Sequence, residues 1–433
     1  MGEKRAKAKK ERKANWKEVY ATVDDIKAFL GDRLFLRHNV ITGRVEYREP
    51  SIYPPNLGGE GRPEQAHFGD GYMPVNDRLV NSLWAEMSKQ KPVRVQDIYR
   101  VIESDFVADY HPFRFYLDRL PPWNGEDHIL AMSMSVQVKG GVDEQLRFAE
   151  YLKKWLVAMV AGWIDDTVVN NVILVLIGEQ GSYKTTWFNY LLPPELSGYF
   201  YTKTNANRMG RDDLLTLAQY GLVCCEELDT MRPSELNQLK AAVTMPAIDE
   251  RAAYAHFHEH RQHIASFCGT GNNPQFLTDP TGNRRWLPFR IDSIMSPRDN
   301  PFDYVGIYSQ AYALYRQGFR YWFSQGEIEQ LTAHNRSFEI PHLESELVHL
   351  YFRKPMGVES GIFMSVARAM QIISANISQK LNAVYLGRAF VEQGFQRVKS
   401  NGQRGYIVEL RTGEEIQRLQ RQMADEGDVD SGQ

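Results

Sequence analysis

Cysteine is scarce in this chain of 433 residues. Three are present, Cys224, Cys225 and Cys268, and two of these are adjacent. That number excludes a disulfide framework and points to a reducing compartment. Long apolar runs are missing as well. The longest, residues 155–164, is far short of the roughly 20 residues that a membrane-spanning helix needs. The basic N-terminus has no apolar stretch behind it, so it does not read as a secretory leader. No internal repeat is present, and net charge is small, −3 from 51 Lys and Arg against 54 Asp and Glu. These absences leave a soluble, cytoplasmic chain with no membrane partner as the expectation.

What is present is ordinary in bulk and uneven in detail. Hydrophobic residues at 43% and charged residues at 24% are those of a folded protein, and the length predicts roughly two to four domains. Residues 1–17 hold eight Lys and Arg against two Glu, whereas residues 421–433 hold four acids against one Arg. A basic arm lends nonspecific affinity for nucleic-acid phosphates or is a solvated lead-in; the acidic end reads as a tail. Residues 36–47, with the Thr42-Gly43 turn signal, predict a hairpin. Helices are expected over 93–106, over 113–120 up to Pro121-Pro122, and over 143–164, where Tyr151, Leu152, Trp155, Leu156 and Met159 recur at helical spacing. The period then changes. Residues 171–177 (NVILVLI) are continuously apolar, as in a parallel strand buried on both faces.

Directly after that strand comes Gly178-Glu-Gln180-Gly181-Ser182-Tyr183-Lys184-Thr185-Thr186, followed by a helical run through Trp187, Phe188 and Leu191. Strand, Gly-containing loop, Lys-Thr and helix are the ingredients of a nucleotide-phosphate cradle, in which backbone N–H groups and the helix N-terminus face the phosphates. Lys184 would reach the β- and γ-phosphates of ATP, and the Thr185 hydroxyl would ligate Mg²⁺. The usual pattern has Gly immediately before the Lys; here Tyr183 stands at a position that often needs an unusual φ/ψ.

Residues 222–225 (LVCC) lead into Glu226-Glu227-Leu228-Asp229. Paired carboxylates at a strand end suit a Mg²⁺-dependent hydrolase: Glu226 on the metal side, Glu227 polarising the attacking water. Taken alone, they could equally be an acidic helix start. A third apolar strand, 264–268, ends in Gly269-Thr270-Gly271-Asn272-Asn273, and a polar amide at such a tip sits where open α/β sheets bind ligands. Arg284 and Arg285 follow a Gly-Asn turn. They are candidates for a charge clamp on a transferring phosphoryl group or for structural pairing with Asp279.

In this order, GEQGSYKTT (178–186), CCEELD (224–229), GTGNN (269–273) and LTDPTGNRRW (277–286) resemble the virulence-associated protein E family. The upstream HPFRFYLDRLPPWNG (111–125) is similar to the segment before that family's ATPase core. The family comprises superfamily 3 helicase-like P-loop ATPases of the AAA+ type from phages and bacterial mobile elements. The resemblance implies ATP contacts along Gly178, Gln180, Gly181, Ser182, Tyr183, Lys184, Thr185 and Thr186. It implies Mg²⁺ at Thr185 and Glu226, catalytic acids at Glu226 and Glu227, a sensor amide at Asn272, and an arginine finger at Arg284 or Arg285. It also implies a channel hairpin within residues 249–263, where Arg251, Tyr254, His256, His258, His260 and Arg261 would meet DNA. His256, His258 and His260 alternate, so an extended strand would put them on one face; no Cys or acid spacing supports zinc there.

Further on, helices are expected over 308–319, 327–338 and 381–395, and Asn401-Gly402 between alternating residues predicts a second hairpin. Helix then basic hairpin suggests a winged helix with Arg397, Lys399 and Arg404 near phosphates; the alternative is a small α+β module that packs on the ring or binds protein. The expected fold is α/β: an AAA+ P-loop core with a parallel sheet (141–325), preceded by a basic arm (1–16) and a mainly helical domain (17–140). A helical, winged-helix-like domain (326–420) and an acidic tail (421–433) follow it. The expected function is an ATP-driven, ring-forming, hexameric helicase or translocase on single-stranded or forked DNA, working with replication proteins. The alternative is an ATP-dependent oligomeric switch that recruits replication or defence partners.

Overall fold

A computed structural model of the chain describes residues 20–50, 71–203, 211–250, 259–278, 282–340, 343–355, 361–377, 379–400 and 402–429. Its contacts divide it into two compact units, Met1–Phe338 and Glu339–Gln433. The first opens with α1 (Val23–Arg33), where Thr22 and Asp25 cap each other in a reciprocal box. β1 (Phe35–Asn39) and β2 (Arg44–Arg48) form the expected hairpin, with Phe35 opposite Arg48 and Asn39 opposite Arg44. β3 (Met73–Pro74), α2 (Asp77–Met87), α3 (Val95–Ile102), β4 (Asp109–Tyr110) and α4 (Pro112–Leu117) follow. The strands assemble in the order β3-β2-β1-β4. The N-terminal region thus carries a small sheet beside its helices, closed by a parallel pairing of His38 and Asn39 with Asp109 and Tyr110 that no local pattern announces.

The core continues with α5 (His128–Ser133), β5 (Val136–Val138), α6 (Gly141–Ile164), β6 (Ile173–Ile177), α7 (Lys184–Asn189), β7 (Phe200–Lys203), α8 (Arg211–Gln219) and β8 (Leu222–Cys225). Then come α9 (Pro233–Val243), β9 (Ala247–Glu250), β10 (Glu259–Gln262), β11 (Ser266–Gly271), β12 (Trp286–Ile294), α10 (Tyr304–Arg316) and α11 (Gln325–Asn335). Six strands form one sheet in the order β5-β12-β6-β11-β8-β7, parallel throughout except for β5 against β12. The protein is therefore mixed α/β with a parallel sheet.

β6 is at its centre because its sequence has nothing polar to show water: all five residues are buried. They alternate between two cores. Leu174 and Leu176 pack with Trp155, Met159 and Tyr308 from α6 and α10, while Ile173, Val175 and Ile177 pack with Leu217, Leu236 and Leu239 from α8 and α9. Burial of each such aliphatic side chain contributes about 1.5–3 kcal/mol. The α6 indoles also satisfy their N–H groups on the sheet, Trp155 Nε1 on the Phe267 carbonyl and Trp163 Nε1 on that of Gly221, both at 3.1 Å.

The second unit contains α12 (Leu343–Tyr351), β13 (Phe352–Arg353), β14 (Ile362–Met364), α13 (Val366–Ser374), α14 (Ala383–Glu392), β15 (Arg397–Ser400), β16 (Gln403–Leu410) and α15 (Gly413–Val429). β15 and β16 form the second expected hairpin, and β16 also pairs with β13 and β14. Its core centres on Phe390, whose ring stacks on Tyr406 with centroids 4.8 Å apart. Among the described residues no helix is long and apolar enough to cross a membrane.

Candidate phosphate-binding site at the sheet edge

Three parallel strands end at one level. Gly271 pairs with Ile177, and Gly269 with Cys225, so the C-terminal tips of β6, β11 and β8 stand side by side. That edge is where open α/β sheets bind ligands. The loop leaving β6 turns through Gly181 at φ 81°, and Gly178 is packed so closely that a Cβ there would lie 2.5 Å from Ile291 Cγ1. Lys184, the first residue of α7, is buried at 8% exposure. Its Nζ donates to the Gly178 and Glu179 carbonyls at 2.6 Å each, and lies 3.3 Å from both Ser182 Oγ and Asn272 Oδ1. Burial pushes the Lys184 pKa below the ordinary lysine value, opposed by the charges of Asp229 and Glu179.

The Thr185 hydroxyl donates to Glu226 Oε1 at 2.8 Å, which brings the loop and the end of β8 together across 41 residues. Glu226 is half-buried and Glu227 is exposed. Of the expected loop contacts, Gln180 and Gly181 are exposed and Ser182 and Thr186 half-buried; Ser182 Oγ donates back to the Glu179 carbonyl at 2.7 Å. Two non-glycine residues among those described have positive φ, Tyr183 at 62° and Glu227 at 54°. Each costs roughly 1–3 kcal/mol, and both belong to this one site. Tyr183 takes the conformation a glycine would adopt freely, and its side chain is 46% exposed.

Asp229 is a site residue that sequence reasoning passed over. Its Oδ2 accepts from the backbone N–H of Asn272 at 3.2 Å and of Asn273 at 2.9 Å, which fixes the β11 tip. Its buried Oδ1 has no hydrogen-bond partner. The carboxylate stood in the quoted motif, but the N–H groups that donate to it lie 43 and 44 residues on.

Other expected residues are elsewhere. Arg284 and Arg285 form a single 3₁₀ turn with Asn283 ahead of β12. Trp286 pairs with Ile173, and only Arg290 reaches the level of Ile177. At about 3.3 Å of rise per residue, the two arginines are some 13 Å or more from the loop between β6 and α7 of their own chain. Arg284 is exposed, Arg285 half-buried. The stems of the expected channel hairpin, β9 and β10, do pair antiparallel. Arg251, Tyr254, His256 and His258 lie outside the described residues. His260 is exposed. Arg261 is turned to the β1–β2 turn, where a Cβ on Gly43 would meet its Nη2 at 2.5 Å. Arg397, Lys399 and Arg404 lie in the second unit, all exposed.

Thr185 and Glu226 offer a hydroxyl and a carboxylate, hard oxygen donors of the kind Mg²⁺ takes alongside substrate phosphates and water. Among the described residues no group of three or more His, Cys, Asp and Glu could cage a metal alone. The donor set fits a magnesium ion held partly by a nucleotide.

The virulence-associated protein E-like domain family matches residues 117–340. That is more than half of the chain, which belongs to this family. No curated protein matches it. Among solved structures it resembles the apo structure of the NrS-1 C-terminal region (305–718), at 10% identity over 89% of this chain and 98% of that one, with a TM-score of 0.43. The A form of that region's apo structure gives 9% identity, 87% and 96% coverage, and a TM-score of 0.42.

Proposed function

We propose that the chain is a Mg²⁺-dependent ATPase that assembles into a ring and translocates along or unwinds DNA during replication of a phage or mobile element. The observation that carries the reading is the meeting of Lys184, the Thr185–Glu226 pair and Asn272 at one sheet edge. Family membership supports an AAA+ P-loop core for the first unit, and α14 followed by the β15–β16 hairpin supports a winged-helix-like reading of the second. Lys184 neutralises the β- and γ-phosphates, exchanging its loop carbonyls for them. Thr185 and Glu226 would hold Mg²⁺, which would supply charge neutralisation. Glu227 orients and deprotonates the attacking water, and Asn272 reports the γ-phosphate from beside Lys184.

Arg284 and Arg285 stand too far from their own loop to complete this site, which favours their insertion into the site of a neighbouring copy. Such an arginine in trans is worth about 10³–10⁵ in turnover in the best-studied cases. Hydrolysis would then move the β9–β10 hairpin along the strand.

One observation favours a second reading, an ATP-gated switch that recruits replication or defence partners. Tyr183 strains the loop where glycine would not, which suits slow turnover. ATP turnover with and without single-stranded DNA separates the two. A severalfold rise on DNA supports the motor, and a rate that ignores DNA while ATP still binds supports the switch.

A further inference from the structure

Hairpin β15–β16 gathers cations on one face. Lys399 stands directly opposite Arg404, and Arg397, two residues earlier, shares their side. All three are exposed. Like charges directly across a sheet destabilise it, so folding alone gives no reason for this pairing. Four acids of the unit are engaged on other cations: Glu409 and Glu415 on Arg353, Glu339 and Glu392 on Arg388. The cationic face is also the side of α14. Tyr406, opposite Arg397, is buried against Phe390 and its hydroxyl donates to the Gly387 carbonyl of α14 at 2.8 Å. The reverse face is covered, since a Cβ on Gly405 would lie 2.6 Å from the Phe363 ring.

We infer that the corner between α14 and this hairpin grips the phosphate backbone of double-stranded DNA, without a nucleotide and without reading sequence. This deepens the proposed action on DNA and rests on that part of the reading. Duplex follows from what flanks the cations. Single-strand grooves stack bases on exposed rings, yet the described aromatic residues of this unit are buried or half-buried. Indifference to sequence follows from α14 itself. The hydrogen bonds that carry most base discrimination come from Arg, Lys, Asn, Gln, acids and hydroxyls in the groove, with apolar groups meeting only the thymine methyl. On α14, Arg388 is bonded to Glu392 and Glu339, and the exposed positions Ala383, Val384 and Val391 carry no hydrogen-bonding group.

The test is binding of the full chain, without nucleotide, to labelled duplexes of several unrelated sequences across a salt series. Each phosphate contact contributes about −0.9 to the slope of log K against log salt. Lys399→Ala with Arg404→Ala should therefore flatten that slope by about 1.8, and Lys399→Arg should restore its share. Lys399→Glu separates binding from folding: it places opposite charges across the hairpin, so the melting temperature should hold or rise while binding falls. Equal affinity for all sequences and the flattened slope support the inference. An unchanged slope, tighter binding to a single strand of equal length, or affinity that depends on sequence overturns it. Because no nucleotide is present, an inactive ATPase leaves this binding standing, and failed binding here leaves turnover to be judged separately.

Discussion

Glu46 and Lys184 are both charged and both buried, at 1% and 8% exposure, yet their surroundings differ in kind. Glu46 accepts from Arg37 Nε on one oxygen and from Asn39 Nδ2 on the other, both at 2.7 Å. Arg37 lies between the rings of Tyr72 and Tyr110 at 3.8 and 3.7 Å, and Asn39 also reaches the Tyr199 hydroxyl at 2.7 Å. This cluster joins the N-terminal sheet to the core and leaves its carboxylate saturated. Lys184 has no carboxylate on its ammonium. It borrows carbonyls from its own loop, its charged form is disfavoured by burial, and the backbone on either side of the site is strained at Tyr183 and Glu227. A buried charge closed on its own counter-charge stabilises a fold, whereas a buried cation with no carboxylate beside it, on a strained loop, suits an anionic ligand.

Substitutions should pull the two regions apart. The largest effect on stability belongs to Glu46→Ala, which leaves Arg37 without its buried counter-charge. It should cost about 3–5 kcal/mol in denaturant unfolding. Lys184→Ala should do the reverse. Turnover should fall about 10²–10³-fold or more while the melting temperature stays near that of the parent protein. A large loss of stability there would erase the contrast.

Tyr183→Gly should remove left-handed strain and stabilise the protein by about 1 kcal/mol in the same unfolding assay. Lost nucleotide affinity in that variant would give the phenol ring a binding role.

The smallest effect is a pH dependence. Burial and Arg114 lower the His111 pKa to about 4, and burial lowers that of His263. Both are held neutral in the fold and protonate in the unfolded chain below about 6.5. Stability should therefore fall as pH drops through 6.5, for His111 down to about 4. His111 also caps α4 through Nδ1, so His111→Asn should keep the cap and flatten part of that slope.

Local signals carried much of this structure into view. The Thr42-Gly43 and Asn401-Gly402 turns announced their hairpins, the 171–177 run announced β6, and helical spacing announced α6. The loop between β6 and α7 was legible as a candidate phosphate cradle because one short segment holds its glycine, lysine and threonine. Contacts made at long range were not. β1 meets β4, and Asn39 meets Tyr199, through the fold alone. Asp229 looked like one more acid in a run until the β11 tip closed over it. His263, near the alternating histidines, is committed to the Met245 carbonyl at 2.7 Å, and the half-buried Arg261 lies close to the turn at Gly43. Both contacts join segments far apart in sequence, so residue type alone did not show them.

Phosphate release by the full chain with and without Mg²⁺, beside Glu227→Gln, decides whether this sheet edge hydrolyses ATP. Release should depend on Mg²⁺ and fall about 10²–10⁴-fold in the variant while ATP still binds. Release that ignores Mg²⁺, or that survives Glu227→Gln, rules the edge out as the hydrolytic site.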